Sequence, residues 1–191
     1  MTRILEIPVL LWGFGVSVGS IDFGDYIASY PDFPKAGILF RDISPLLASA
    51  EGMVQAVDQF AAQLSGFDID LIAGIESRGF LFSTLLASRL NIGSIMVRKP
   101  GKLPGKLVRA GYDLEYGTAE LTIQQDAPIQ GRLVLIIDDL LATGGTMIAA
   151  KTLVESCGAI VPACAVVIEL VALGGRAALD MPIITLKAYD D

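Results

Sequence analysis

The chain has 191 residues, 53% of them hydrophobic and 18% charged, with a formal net charge of −7 and no histidine. Length and apolar content fit one self-sufficient domain and exclude intrinsic disorder, and the acidic balance argues against nucleic acid or a membrane surface as partner. Imidazole bases, Ser-His dyads and histidine metal sites are excluded outright, and two cysteines, Cys157 and Cys164, supply neither a disulfide framework nor a zinc site, so a reducing cytoplasm is the expected setting.

In chain order, the apolar run between Glu6 and Asp22 comes first. It is broken by Pro8, Gly13, Gly15 and Gly19, too short for a spanning helix, and followed by no convincing cleavage site. Residues 1–20 are expected to be an N-terminal extension that packs as an extra strand or arm, ahead of one domain over 21–191. Asp22 to Tyr30 reads as a short helix ended by Pro31. Ser49 is placed to cap a helix running to about Leu64, along which Met53, Val57, Phe60 and Leu64 recur at helical spacing. Leu71 to Ile75 suits a buried strand, Gly79 to Leu90 a helix, and Ile95 to Val97 another strand. Arg98 to Gly111, rich in Gly, Pro, Lys and Arg, reads as a long loop, and Tyr116 to Ile123 as a strand or hairpin arm. Leu133 to Ile137 is apolar throughout, as a central parallel strand covered on both faces should be. A helix follows Gly144 and Gly145, runs to about Ser156 and is closed by Gly158; Ala159 to Leu170 and Ile183 to Tyr189 are the last strands. The alternation predicts an α/β fold: a mostly parallel sheet flanked by helices.

The strongest chemical signal lies at residues 134–146. A buried strand ends in Asp138 and Asp139, and a small-residue loop, Ala142-Thr143-Gly144-Gly145-Thr146, then opens a helix. Such a loop turns backbone N–H groups inward at a helix N-terminus, where the dipole favours an anion, and two threonine hydroxyls add donors. Ligands of open α/β sheets sit beyond the carboxyl ends of the strands. Paired carboxylates accept hydrogen bonds from vicinal hydroxyls. Phosphate on one side and diol on the other amount to a ribose 5-phosphate.

This segment resembles the phosphoribosyl-diphosphate (PRPP) motif of the type I phosphoribosyltransferases, and further segments resemble the adenine phosphoribosyltransferase family in particular. Pro31 to Pro45 (PDFPKAGILFRDISP) is similar to its base-binding segment, Glu76-Ser-Arg-Gly-Phe80 to its second PRPP contact, and Arg98 to Pro104 with Tyr112 to Gly117 to its mobile catalytic loop. The resemblance spans roughly Ile21 to the C-terminus. It implies transfer of a phosphoribosyl group from PRPP to adenine, giving AMP and diphosphate, with Mg²⁺ carried on the diphosphate and meeting Asp138 and Asp139 through water if at all. It implies diphosphate contacts from Glu76, Ser77, Arg78, Lys99 and Lys102, and a strained, cis Glu76–Ser77 link. Glu115 and Tyr116 are implied to be the catalytic residues, Glu115 managing the purine proton. Leu39, Phe40, Arg41 and Leu170 are implied to hold adenine, backbone groups near Leu39 and Arg41 reading its edge, Phe40 stacking on it and Leu170 covering it. A small hood built from about 21–48 and the C-terminal strand, and a homodimer, are implied too.

Independently of the resemblance, Arg98, Lys99, Lys102 and Lys106 form the one basic cluster of an acidic chain, suited to a polyanionic substrate. The Gly13-x-Gly15 and Gly101 to Lys106 patterns mimic nucleotide-binding fingerprints, but with wrong spacing and without the Ser or Thr that a P-loop needs. A xanthine or hypoxanthine/guanine phosphoribosyltransferase, and a PRPP-sensing regulator, are the alternative readings.

Overall fold

The structure is a computed structural model that describes residues 21–113 and 118–190. A 3-10 turn at Phe23–Tyr26 leads into an antiparallel hairpin of β1 (Ala28–Pro31) and β2 (Leu39–Asp42). Helices α1 (Ser44–Ala48) and α2 (Ala50–Gln63) precede β3 (Leu71–Ile75), α3 (Gly79–Leu90) and β4 (Gly93–Val97). A second hairpin follows, β5 (Leu107–Asp113) with β6 (Thr118–Gln124), then β7 (Val134–Leu141), α4 (Gly145–Ser156), β8 (Cys164–Leu170) and β9 (Ile183–Tyr189). The central sheet is wholly parallel, in the order β4-β3-β7-β8-β9.

Both faces of this sheet are covered, which is why its strands read as unbroken apolar runs. On one face α2 and α3 bring Phe60, Phe82 and Leu86 against Ile72, Leu135 and Ile137. On the other, α4 and β6 bring Met147, Leu153, Leu121 and Ile123 against Ala73, Ile136 and Val166. Each such fully buried aliphatic or aromatic side chain contributes roughly 1.5–3 kcal/mol. The Ser49 hydroxyl accepts from the Gly52 amide at 3.0 Å and caps α2, as its position in the sequence predicts, a bond worth about 1 kcal/mol. Burial pushes the Cys164 thiol up to about 12, which makes it an inert core residue.

Four expectations are corrected. Asp22 to Tyr30 is a 3-10 turn followed by strand β1, because pairing with β2 overrides the local helical pattern. The long loop expected over Arg98 to Gly111 ends early: β5 starts at Leu107, where Val108 and Ala110 pack on the core while Arg109 faces out and pairs with Glu120 at 2.8 Å. The strand expected from Ala159 makes one parallel bridge, at Ile160 with Leu133, and joins the continuous ladder only at Cys164, since Pro162 has no amide to donate. The C-terminal strand, expected in the hood, is the edge of the central sheet. The hood hairpin and the segment before it meet β9 through side chains: Lys187 pairs with Asp22 at 2.7 Å, and the Arg41 guanidinium lies 3.8 Å over the Tyr189 ring.

One close approach sets where α3 begins. A Cβ on Gly79 would stand 2.6 Å from the Ile137 carbonyl oxygen and 3.2 Å from the Asp138 Cα, inside van der Waals contact with the backbone of β7. Gly79→Ala should therefore cost about 1–3 kcal/mol of stability as α3 is pushed off the sheet. Urea denaturation measures it, and an unchanged midpoint would mean that α3 does not sit this close.

Candidate active site

β3 and β7 are neighbours, yet the chain leaves them in opposite directions. β3 returns through α3 to β4 on one side, β7 through α4 to β8 on the other. The loops beyond their carboxyl ends, Glu76–Arg78 and Ala142–Gly144, part there and leave a crevice. α3 and α4 pack on opposite faces and each starts at this crevice. Their N-cap residues are Arg78 and Gly144, neither makes a side-chain cap, and neither first turn holds an acid. The two helix dipoles thus favour anions at one place, although in the first turn of α3 the Phe80 and Leu81 amides already donate to the Ser77 and Arg78 carbonyls at 3.3 and 3.1 Å. Gly144, at φ +91°, takes the left-handed turn that swings the loop into α4.

Asp138 and Asp139 lie within β7, not beyond it, and differ sharply. Asp139 is buried, and its carboxylate accepts from Arg78 Nε at 2.5 Å, which ties the two loops together. Asp138 stays beside Gly79, with one oxygen accepting from the Asp139 amide at 2.9 Å. Burial, and then the neighbouring Asp139 charge, hold its pKa well above the ordinary aspartate value.

The expected diphosphate residues are also gathered. The Glu76–Ser77 peptide is cis, and Ser77 and Arg78 are exposed at the crevice. Glu76 accepts from both Arg98 Nε and Nη2 at 3.3 Å and from the Lys99 amide at 2.9 Å, while Arg98 Nη1 donates to the Lys102 carbonyl at 2.9 Å. Burial alone would raise the Glu76 pKa; the Lys99 amide and Arg98 outweigh it and hold it below the ordinary value. Glu76 thereby serves as an anchor that draws the stretch bearing Lys99 and Lys102 to the crevice. Lys106 sits apart, at the base of the second hairpin, where its carbonyl accepts from the Gln125 amide at 2.9 Å.

Leu39, Phe40 and Arg41 share strand β2 of the hood. Phe33 meets the half-buried Phe40 ring edge-on at 5.1 Å, and Arg41 Nη1 donates to Ser29 Oγ at 2.6 Å. Leu170 ends β8 in register with Tyr189, the ring beneath Arg41, so hood and strand end are joined. Glu115 and Tyr116, and residues 1–20, lie outside the described residues.

A family model described as phosphoribosyl transferase domain matches residues 47–183. An adenine phosphoribosyltransferase of Gluconacetobacter diazotrophicus is 47% identical over 92% of this chain and 100% of its own, and one of Synechococcus is 52% identical over 88% and 99%. The chain belongs to the adenine phosphoribosyltransferase family. Among solved structures, the adenine phosphoribosyltransferase of Thermoanaerobacter pseudethanolicus superposes with a TM-score of 0.85 at 48% identity, covering 87% of this chain and 98% of that one. The Saccharomyces cerevisiae enzyme, solved with an imino-altritol bisphosphate and adenine, gives 0.83 at 41% identity, covering 86% and 96%. The parallel sheet with flanking helices is the fold of the adenine phosphoribosyltransferase family, as expected from the motifs.

Some residues at or behind the site escaped the sequence reading. Asp42 accepts from the Ser44 hydroxyl at 2.7 Å and amide at 2.9 Å; these bonds, and more distantly Arg78, hold its pKa below the ordinary value. The Asp-x-Ser spacing is a readable signal for that turn. Glu169, Arg176 and Thr185 form a polar cluster beside Gly175, which abuts the Ala142–Gly144 loop, and no local spacing announces it.

A carboxyl whose folded pKa lies above its unfolded one stabilises the fold when protonated and loses that contribution as pH rises between the two values. Asp138→Asn should therefore raise the ligand-free Tm at neutral pH. Differential scanning calorimetry across pH checks this; a lower Tm at neutral pH would show that the Asp138 charge is not under strain.

Proposed function

We propose that this chain transfers the 5-phosphoribosyl group of PRPP to adenine, forming AMP and releasing diphosphate, over the domain 21–191. The observation that carries the reading is the pair of uncapped helix N-termini, on α3 and α4, flanking an acidic strand end at one crevice. One anion site takes the 5′-phosphate, in the cradle of Ala142, Thr143, Gly144, Gly145 and Thr146. The other takes the diphosphate, at Ser77 and Arg78 with Lys99 and Lys102. Asp138 and Asp139 stand between them, where the ribose hydroxyls lie. Glu76, a carboxylate, repels a polyanion in its own right and serves by holding Arg98 and the Lys99 amide in place.

Adenine stacks on Phe40, under Leu170, with backbone groups of Leu39 and Arg41 reading its edge. A donor and acceptor so placed pair with the 6-amino face and leave a 6-oxo purine unmatched. A ring nitrogen of adenine attacks C1 of the ribose as the bond from C1 to the diphosphate oxygen breaks, through an oxocarbenium-like state. Holding base and sugar in line supplies the larger part of the acceleration. Glu115, next to Tyr116 in the sequence, takes up the purine proton.

Among the described residues no group of three or more metal-ligating side chains is gathered. At the strand end Asp138 and Asp139 are the acids at hand, and Asp139 is already engaged by Arg78. That donor set fits Mg²⁺ held chiefly by substrate oxygens and water, with the two acids reached through water. When bound, the ion neutralises charge on the departing diphosphate. A homodimer fits the exposed Leu81 and Leu85, one turn apart on α3, and the exposed Met96 on edge strand β4. A cytoplasmic protein without nucleic-acid or membrane partners fits the acidic charge; among the described residues no helix is long and apolar enough to cross a membrane.

Diphosphate release from PRPP, Mg²⁺ and each purine base in turn tests the assignment. Rapid release is expected with adenine alone, and turnover of hypoxanthine without adenine would overturn it. In the same assay the double substitution Asp138→Asn/Asp139→Asn should abolish activity. Glu115→Gln should lower kcat by about 10²–10⁴-fold with KM values little changed; a full-rate variant would remove Glu115 from the chemistry.

A further inference from the structure

The loop Ala142–Gly144 has a wall that comes from far along the chain. A Cβ on Gly175 would stand 2.2 Å from the Ala142 carbonyl oxygen and 3.1 Å from the Gly144 amide nitrogen. A Cβ on Gly144 would stand 3.1 Å from the Gly175 carbonyl oxygen. Backbone thus lies directly on backbone, and the position of Gly175 limits where the loop amides can be.

Gly175 opens a short 3-10 turn, Gly175–Ala178, between β8 and β9, and the next residue fastens that turn to both strands. Arg176 Nε donates to Glu169 Oε1 at 2.8 Å, and Nη2 donates to the other carboxylate oxygen. Nη2 also donates to Thr185 Oγ1 at 2.9 Å, and Nη1 to the Ile183 carbonyl at 3.1 Å. The Thr185 hydroxyl in turn donates to Glu169 Oε2 at 3.0 Å. Glu169 is buried, and its Arg176 partner holds the carboxyl below the usual glutamate range against the opposing effect of burial. A planar bidentate fork on a buried carboxylate is directional in a way that a lysine ammonium is not.

We propose that Arg176 is a positioning residue for phosphate binding: clamped to Glu169 and Thr185, it fixes Gly175 against Ala142–Gly144 and so sets the amide cradle for the 5′-phosphate. This rests on the phosphate-loop reading given above. Arg176 touches no substrate in this scheme. Leu170 is held separately, in the β8–β9 ladder opposite Tyr189, so the adenine contact does not depend on the clamp.

The test compares binding of ribose 5-phosphate and of adenine by calorimetry, and the KM for each substrate, in wild type and in four variants. Arg176→Gln and Arg176→Lys should weaken ribose 5-phosphate binding and raise the KM for PRPP by about tenfold or more, with adenine constants changed by less than about threefold. Gly175→Ala should give the same pattern with the Arg176 cluster intact. Thr185→Val, which removes a hydroxyl and keeps the volume, should give a smaller shift in the same direction. If an Arg176 variant does not fold, Thr185→Val and Gly175→Ala decide. Wild type that fails to bind ribose 5-phosphate sinks the phosphate-loop reading itself. Wild type that binds it, alongside folded variants that bind it equally well or lose both ligands in parallel, overturns the positioning role alone.

Discussion

Two parallel strands, β3 and β7, lie side by side and hand the chain to opposite faces of the sheet, and a crevice opens between their carboxyl ends. Right-handed crossovers put α3 on one face and α4 on the other, and force both helix N-termini toward that crevice. Of the other two α-helices, α2 is capped by the Ser49 hydroxyl, and α1 has no side-chain cap but carries Pro45 in its first turn. At the crevice neither helix start has a side-chain cap. The missing side-chain caps and the strand order together favour anions at this crevice.

That arrangement demands unusually close backbone approaches. Gly79 lets α3 start against β7, and Gly175 lets the β8–β9 connection lie on the loop after β7. Neither glycine adopts a left-handed conformation; what each supplies is the absence of a Cβ where another backbone already stands. The crevice is thus bounded by main chain, which cannot relax as a side chain does.

Electrostatics complete the picture in a chain whose net charge is −7. Positive charge is brought to the crevice by specific tethers: Arg78 by Asp139, and the Lys99–Lys102 stretch by Glu76 acting through Arg98 and a backbone amide. The same carboxylates would repel a polyanion if left bare. Engaged in this way they fix the cations' position, while desolvation and the neighbouring Asp139 charge hold the half-buried Asp138 carboxyl well above the ordinary aspartate range.

Much of this was written locally in the chain. The runs Leu71–Ile75 and Ile183–Tyr189, the helix Gly79–Leu90, the Ser49 cap and the acid-then-glycine passage from β7 into α4 follow from side-chain period and turn chemistry, which act within a few residues. β1 and β5 did not show, because each is half exposed and takes its form from the strand it pairs with. The unequal state of Asp138 and Asp139 depends on Arg78, which only the β3–β7 pairing brings near. The Glu169–Arg176–Thr185 cluster exists because β8 and β9 run in register, and it adjoins Gly175, whose backbone lies on the Ala142–Gly144 loop. Local sequence determined which elements form and which residue types flank them. Tertiary structure decided which charges neutralise one another and which stay open to a ligand, since those depend on distances between segments that no spacing along the chain encodes.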